Sequence, residues 1–226
     1  MCIRDRPGVV HMRHTHLPEH KFVKGQPETG KELADDLERI ALNFGSENIA
    51  ACIVEPISGS TGTLVPPKGY LKRLREICNK YDILLIFDEV ITGWGRTGSS
   101  FASKEYGVTP DLMTMAKATT NGIVPMGVVA VKEEIYDTIV NASPDGVIEL
   151  FHGYTYSGIP VAVAAALAVQ DIFEKEDIFN RAKSLSSYFL DGLFSLKDIK
   201  CIENIRGYGL MAVSYTHLTL PTIYSV

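Results

Sequence analysis

The sequence predicts an α/β fold built on a mainly parallel sheet flanked by helices. Three observations predict it. Short apolar, β-branched runs alternate with longer amphipathic stretches. The apolar runs are near-continuous, as in the buried strands of parallel sheets. Three of them end at an ionisable residue, Glu55, Asp88 or Lys117, and ligands of open α/β sheets sit beyond the carboxyl ends of the strands.

The elements follow in order. Thr29-Gly30-Lys31-Glu32 has the form of a capping box. Leu33, Leu37, Ile40, Ala41 and Phe44 then recur at helical spacing, with Asp35, Asp36, Glu38 and Arg39 on the other face, until Gly45 ends the helix. Ile49 to Val54 reads as a buried strand and Ser58 to Pro67 as a Gly/Ser/Pro-rich loop. Lys68 to Tyr81 is predicted helical, with Leu71, Leu74 and Ile77 or Cys78 inward. Ile83 to Phe87 is a second strand, running into Asp88-Glu89 and the glycine-rich stretch Gly93 to Gly98. Leu112 to Ala116 and Met126 to Val131 are a third and a fourth strand. After Gly158 the pattern changes: Pro160 to Phe173 and Ile178 to Leu196 read as helices, and Ile202 to Ala212 begins a strand-like unit.

The two ends carry a mark of their own. The chain begins Met1-Cys2-Ile3-Arg4-Asp5, and Val213-Ser214-Tyr215-Thr216-His217 stands near the other end. The codons ATG TGT ATA AGA GAC encode the first run, and their reverse complement, GTC TCT TAT ACA CAT, encodes the second. One oligonucleotide read on opposite strands thus encodes both runs, and the result resembles a translated transposon adapter. Residues 1–6 and 213–226 are therefore expected to be artefact, and residues 7–212 a native fragment cut at both sides.

The chain has 226 residues, 46% hydrophobic and 22% charged, with a net charge of -5. This is an ordinary globular composition. The negative balance argues against a nucleic-acid or anionic-membrane partner, either of which wants a basic face. The longest apolar run, Val161 to Val169, falls short of the ~20 residues that cross a bilayer. No secretory signal opens the chain, and the four cysteines are unpaired in spacing, which points to a reducing, cytoplasmic compartment with neither a disulfide framework nor a zinc site. His11, His14, His16 and His20 lie on an irregular segment without fixed ligand spacing, so no metal is expected there.

An acid and an amine converging at the ends of strands exceed what packing needs, since buried Asp and Lys are uncommon unless paired or functional. Taken alone, the spacing also allows Lys117 to be a solvated loop lysine and Asp88 a helix cap. One chemistry that uses both is that of pyridoxal 5'-phosphate, in which a lysine condenses with the cofactor aldehyde and a carboxylate keeps the pyridine nitrogen protonated. Small residues and hydroxyls around the lysine, in Met113-Thr114-Met115-Ala116-Lys117-Ala118-Thr119-Thr120-Asn121-Gly122, suit a cofactor touching the backbone.

The run Ile86-Phe87-Asp88-Glu89-Val90-Ile91-Thr92-Gly93-Trp94-Gly95-Arg96-Thr97-Gly98 resembles the signature of class III aminotransferases, as do Val54-Glu55-Pro56, Ala116-Lys117 and His152-Gly153-Tyr154-Thr155-Tyr156-Ser157-Gly158. The resemblance covers essentially all of residues 7–212, four ordered motifs make it specific, and Val65 to Ile77 and Pro110 to Gly127 are most similar to the ω-amino acid (β-alanine):pyruvate subgroup. The resemblance implies the PLP-dependent transferase fold type I, with residues 7–174 part of the large PLP-binding domain and 175–212 the start of the C-terminal small domain. It implies Lys117 as the Schiff-base lysine, Asp88 as the partner of the pyridine nitrogen, Val90 against one ring face, Thr155 on the cofactor phosphate across a dimer interface, and Glu55 supporting the network near Asp88. Trp94 is either a pocket wall or a loop anchor. The implied reaction moves an amino group from an ω-amino acid or amine to pyruvate, in a homodimer or dimer of dimers.

The chain departs from the family pattern at Ile159, where a His is usual. The same-subunit phosphate cup and the arginine for the substrate carboxylate are expected outside residues 7–212, so this polypeptide alone is expected to be inactive. Two alternatives remain: another class III enzyme, an aminomutase or decarboxylase, or a P-loop nucleotide hydrolase with Asp88-Glu89 as its acidic strand end. No GxxxxGK[ST] supports the second.

Overall fold

The computed structural model describes residues 8–216. Four strands form one sheet in the order β1 (Ala51–Val54), β2 (Leu84–Asp88), β3 (Leu112–Met115) and β4 (Val128–Val131). The first three run parallel, and β4 returns antiparallel to β3. The predicted fourth strand is shorter than its apolar run: Met126 and Gly127 precede the ladder.

Two helices, α1 (Asp35–Phe44) and α2 (Tyr70–Tyr81), pack on one face of this sheet. Leu37 and Ala41 of the first, and Leu71, Leu74, Ile77 and Cys78 of the second, meet Cys52, Leu85 and Phe87 in one buried cluster. Full burial of a side chain such as Leu or Ile contributes roughly 1.5–3 kcal/mol. The ion pairs joining the outer faces, Arg73 with Asp35 and Glu38 and Lys80 with Glu38, are partly exposed, where water and salt screen them. Apolar packing therefore holds the helix pair to the sheet.

The start of the first helical stretch differs from expectation. Gly30 has φ 106° and opens a 3-10 turn, Lys31–Ala34, with no side-chain cap. The capping box does not form, because the Thr29 hydroxyl lies 3.4 Å from the His20 ring instead. The strands are also less enclosed than their apolar runs suggest. Leu85 and Phe87 face the helices, but their alternates do not: Ile53 is 61% and Leu84 38% exposed. Strand side chains alternate between faces, and the described helices leave the Ile53–Leu84 side open.

Two short helices were not read from the sequence, α3 (Ala102–Tyr106) and α4 (Glu133–Ala142). Five residues give too little periodicity for the first, and no side chain of the second is fully buried. Next come α5 (Pro160–Lys175), α6 (Ile178–Phe194) and a hairpin of β5 (Ile202–Tyr208) and β6 (Met211–Thr216), turning at Gly209 with φ 60°. β6 continues through Val213–Thr216, paired from Arg206 back to Ile202. Residues 1–6 and 217–226 of the two expected artefact ends lie outside the described residues. His16 and His20 are packed rather than free: His20 is buried and its Nδ1 accepts the Leu17 N–H, and the His16 ring meets the Asn204 amide at 3.3 Å.

Candidate active site

Parallel pairing brings the ends of β1, β2 and β3 to one edge of the sheet. Glu55 follows β1, Asp88 closes β2 opposite Thr114 of β3, and Lys117 follows β3. The strand order thus places the acid and the amine beyond neighbouring strands.

Asp88 is half-buried, and its Oδ1 accepts the Val90 N–H at 3.0 Å, so the chain's own turn orients the carboxylate. Val90 is half-buried beside it. Glu55 is half-buried as well, and its Oε2 accepts the Gly59 N–H at 2.9 Å, fixing the start of the 59–63 loop. The far side of that loop is held by Arg206, whose guanidinium donates twice to the Gly62 carbonyl, at 2.6 and 3.1 Å. A cleft of about 280 Å³ opens against Asp88 and Glu55, with Arg13, His14, Thr15 and Tyr70 also on its walls.

Lys117 stands outside that cleft's lining. It is exposed and adopts φ 46°, at the head of a single 3-10 turn, Lys117–Thr119. Among the described residues its amine has no hydrogen-bond or ion-pair partner. Thr155 sits in the exposed stretch 144–158 and, among the described residues, hydrogen-bonds to none of the others. Ile159, the departure from the family pattern, precedes α5, and its carbonyl accepts the Ala162 and Val163 N–H groups. Both are backbone roles that any side chain permits.

Two residues matter more than the sequence reading gave them. Glu89 is fully buried. Its carboxylate accepts the Ala102 and Ser103 N–H groups at 2.6 and 2.7 Å and the Thr92 hydroxyl at 3.1 Å. Burial pushes its pKa up, against the pull of those donors. The acid next to Asp88, with a Thr three residues on, was the available signal. Trp94 anchors its loop. Its indole packs against Phe101 and Phe173, at centroid distances of 4.8 and 5.9 Å, and its Nε1 donates to Thr119 Oγ1 at 3.0 Å.

The donor set fits pyridoxal phosphate. An amine without a competing partner can condense with an aldehyde, and a carboxylate oriented by its own backbone can face a ring nitrogen.

Comparison with known proteins identifies the family. The sequence matches the family described as aminotransferase class-III over residues 4–218. It is 55% identical over 206 residues to an omega-aminotransferase of Caulobacter vibrioides, a match covering 91% of this chain and 47% of that one. It is 50% identical to a beta-alanine–pyruvate aminotransferase of Pseudomonas aeruginosa, covering 89% and 46%. The fold superposes on an (S)-enantioselective omega-transaminase from Thermomicrobium roseum with TM-score 0.78 and 44% identity, covering 82% of this chain and 40% of that one. The chain thus spans about half the length of the curated relatives it matches. No helix among the described residues is long and apolar enough to cross a membrane. The four motifs, the strand order behind them and the match over residues 4–218 agree: the chain belongs to the class III aminotransferases.

Proposed function

We propose that this chain carries the lysine and the acid of a pyridoxal-phosphate-dependent transaminase. It would take an amino group from an ω-amino acid such as β-alanine, or from an amine, and deliver it to pyruvate, giving alanine and an aldehyde or semialdehyde. One observation carries the reading: Asp88 and Lys117 leave neighbouring strands at the same edge of the sheet. When bound, the cofactor supplies an aldehyde for a lysine amine and a ring that withdraws electrons from the substrate carbon.

The chain's own residues do the rest. Lys117 would hold the cofactor through its Nζ and would move a proton at the amine-bearing carbon of the substrate. Asp88 keeps a proton on the ring nitrogen, its carboxylate aimed by the Val90 N–H. Val90 packs one face of the ring, and Glu55 braces the loop beside Asp88. Thr155, exposed on this chain, would serve the phosphate held by a second copy in a homodimer or a dimer of dimers. Residues 7–174 belong on this reading to the cofactor-binding large domain and 175–212 to the start of the small domain. Residues 1–6 and 213–226 are adapter-encoded, and coding DNA with other codons at these ends would remove that part. The described cysteines, Cys52, Cys78 and Cys201, are free thiols, which suits the cytoplasm.

The test replaces the matching stretch of the Caulobacter relative with residues 8–212 of this chain. The hybrid is loaded with pyridoxal phosphate, reduced with borohydride and mapped by mass spectrometry. The pyridoxyl group is expected on Lys117, and Lys117→Ala should abolish both the label and alanine formation from β-alanine and pyruvate. A label on another lysine, or turnover that survives Lys117→Ala, overturns the assignment.

A further inference from the structure

We propose that Trp94 and Thr119 form a positioning pair that sets the backbone of Lys117, so that its amine leaves the turn toward Asp88. The inference rests on Lys117 being the cofactor lysine and adds the device that aims it.

The amine of Lys117 has no partner among the described residues, so the backbone alone fixes where its side chain leaves the turn. That backbone is in the left-handed region, φ 46°, which side chains with a Cβ rarely adopt. The φ of residue 117 is the rotation about its N–Cα bond, measured from the peptide plane it shares with Ala116. Two donors grip that plane at one atom: the Thr119 N–H and the Thr119 hydroxyl both donate to the Ala116 carbonyl, each at 3.0 Å.

A threonine hydroxyl can rotate and spend its proton elsewhere. Here it cannot, because the Trp94 Nε1 reaches Thr119 Oγ1 at 3.0 Å. An indole N–H is a donor only. Thr119 Oγ1 must therefore accept from Trp94 and turn its proton to Ala116, which gives the chain of bonds a fixed direction. The indole is itself clamped between Phe101 and Phe173, and the Trp94 N–H donates to the Ser100 carbonyl at 2.6 Å. Thr119 is buried, so water does not substitute for either bond. Trp94 lies six residues after Asp88, so this link ties the loop that follows the acid to the turn that bears the amine.

The test uses the hybrid holoenzyme with Thr119→Val, Trp94→Phe and Thr119→Ser. The first two keep shape and apolar contact but remove a donor or the acceptor, and the third keeps the hydroxyl. The readouts are the rate of borohydride-trappable attachment at Lys117, the pH midpoint of the cofactor's visible band, and kcat separately from KM for pyruvate. Thr119→Val should slow attachment and kcat about tenfold or more, the scale of a mispositioned reacting group. KM should change little and the midpoint should move. Trp94→Phe should act in the same direction, and Thr119→Ser should restore both. Unchanged attachment and midpoint in Thr119→Val overturn the proposal, as does a Thr119→Ser variant no better than Thr119→Val. Failure of both Thr119→Val and Trp94→Phe to fold overturns it too, since the pair would then serve stability alone. A label away from Lys117 in the unsubstituted hybrid defeats the parent reading before any variant is compared.

Discussion

Glu89 offers the sharpest physical test of how the site is built. The perturbations are Glu89→Ala and Glu89→Gln. The carboxylate is fully buried and satisfies three donors: the Ala102 N–H and the Thr92 hydroxyl at Oε2, and the Ser103 N–H at Oε1. Hydrogen bonds to a charged group are worth about 1.5–3 kcal/mol each, and a buried donor left unpaired costs about 1–3 kcal/mol. Burial opposes them by raising the energy of the ionised form. Glu89→Ala strands the Ala102 and Ser103 N–H groups at the first turn of α3 and the Thr92 hydroxyl, so a loss of about 3–5 kcal/mol is expected. Glu89→Gln keeps the shape but turns an amide N–H₂ toward an N–H donor, for a loss of about 2–3 kcal/mol. For a chain of this size, 1 kcal/mol lowers the melting temperature by roughly 2–4 °C, so Glu89→Ala should melt about 6–20 °C lower. The assay is thermal unfolding of the 226-residue chain followed by circular dichroism. The pH dependence adds a second signature. Because the folded pKa lies above the unfolded value near 4.5, the folded state binds more protons between the two, and this group's contribution to stability falls as pH rises through that window. Glu89→Gln should remove that slope. A Glu89→Ala protein melting within about 2 °C of the unsubstituted chain would refute the reasoning.

Three further outcomes are expected. Asp111 accepts the Leu85 N–H at 2.7 Å and pairs with Arg75 and Lys132; Asp111→Ala should cost about 1–3 kcal/mol in urea unfolding, because it leaves the buried Leu85 N–H unpaired. Burial and the nearby Arg206 charge lower the His16 pKa to about 4; the unfolded chain therefore binds more protons from pH 6.5 down to 4, stability should fall as pH drops through that range, and His16→Asn should flatten this part of the profile. Gly209 has φ 60° and a Cβ there would meet the Arg96 carbonyl at 2.4 Å; Gly209→Ala should destabilise the β5–β6 hairpin by about 2 kcal/mol or more, read as a lowered melting temperature.

Much of this architecture was legible because periodicity reports burial. Leu71, Leu74 and Cys78 fix the inward face of α2, and the apolar runs ending in Glu55, Asp88 and Lys117 locate three strand ends. What escaped has physical reasons. The 3-10 turn at Lys31 depends on the left-handed backbone of Gly30, which a capping-box pattern does not register. The exposure of Ile53 depends on which side the helices choose, and an apolar run carries no such information. The Trp94–Thr119 bond joins residues 25 apart in sequence, so no local motif announces it. Glu89 was in plain view, but an acid beside another acid reads as a polar strand end until its donors from α3 are known.

The alignment of β2 with β3 also sets how tolerant the site can be to change. Asp88 lies opposite Thr114, and successive strand residues point to opposite faces. A deletion of one residue within β3 would slide the ladder by one step and send the following side chains to the wrong face of the sheet. The distance between acid and amine is therefore inherited from peptide hydrogen bonding. Substitutions in the surrounding loops leave that spacing intact, but single-residue indels between Leu112 and Lys117 should be fatal to it.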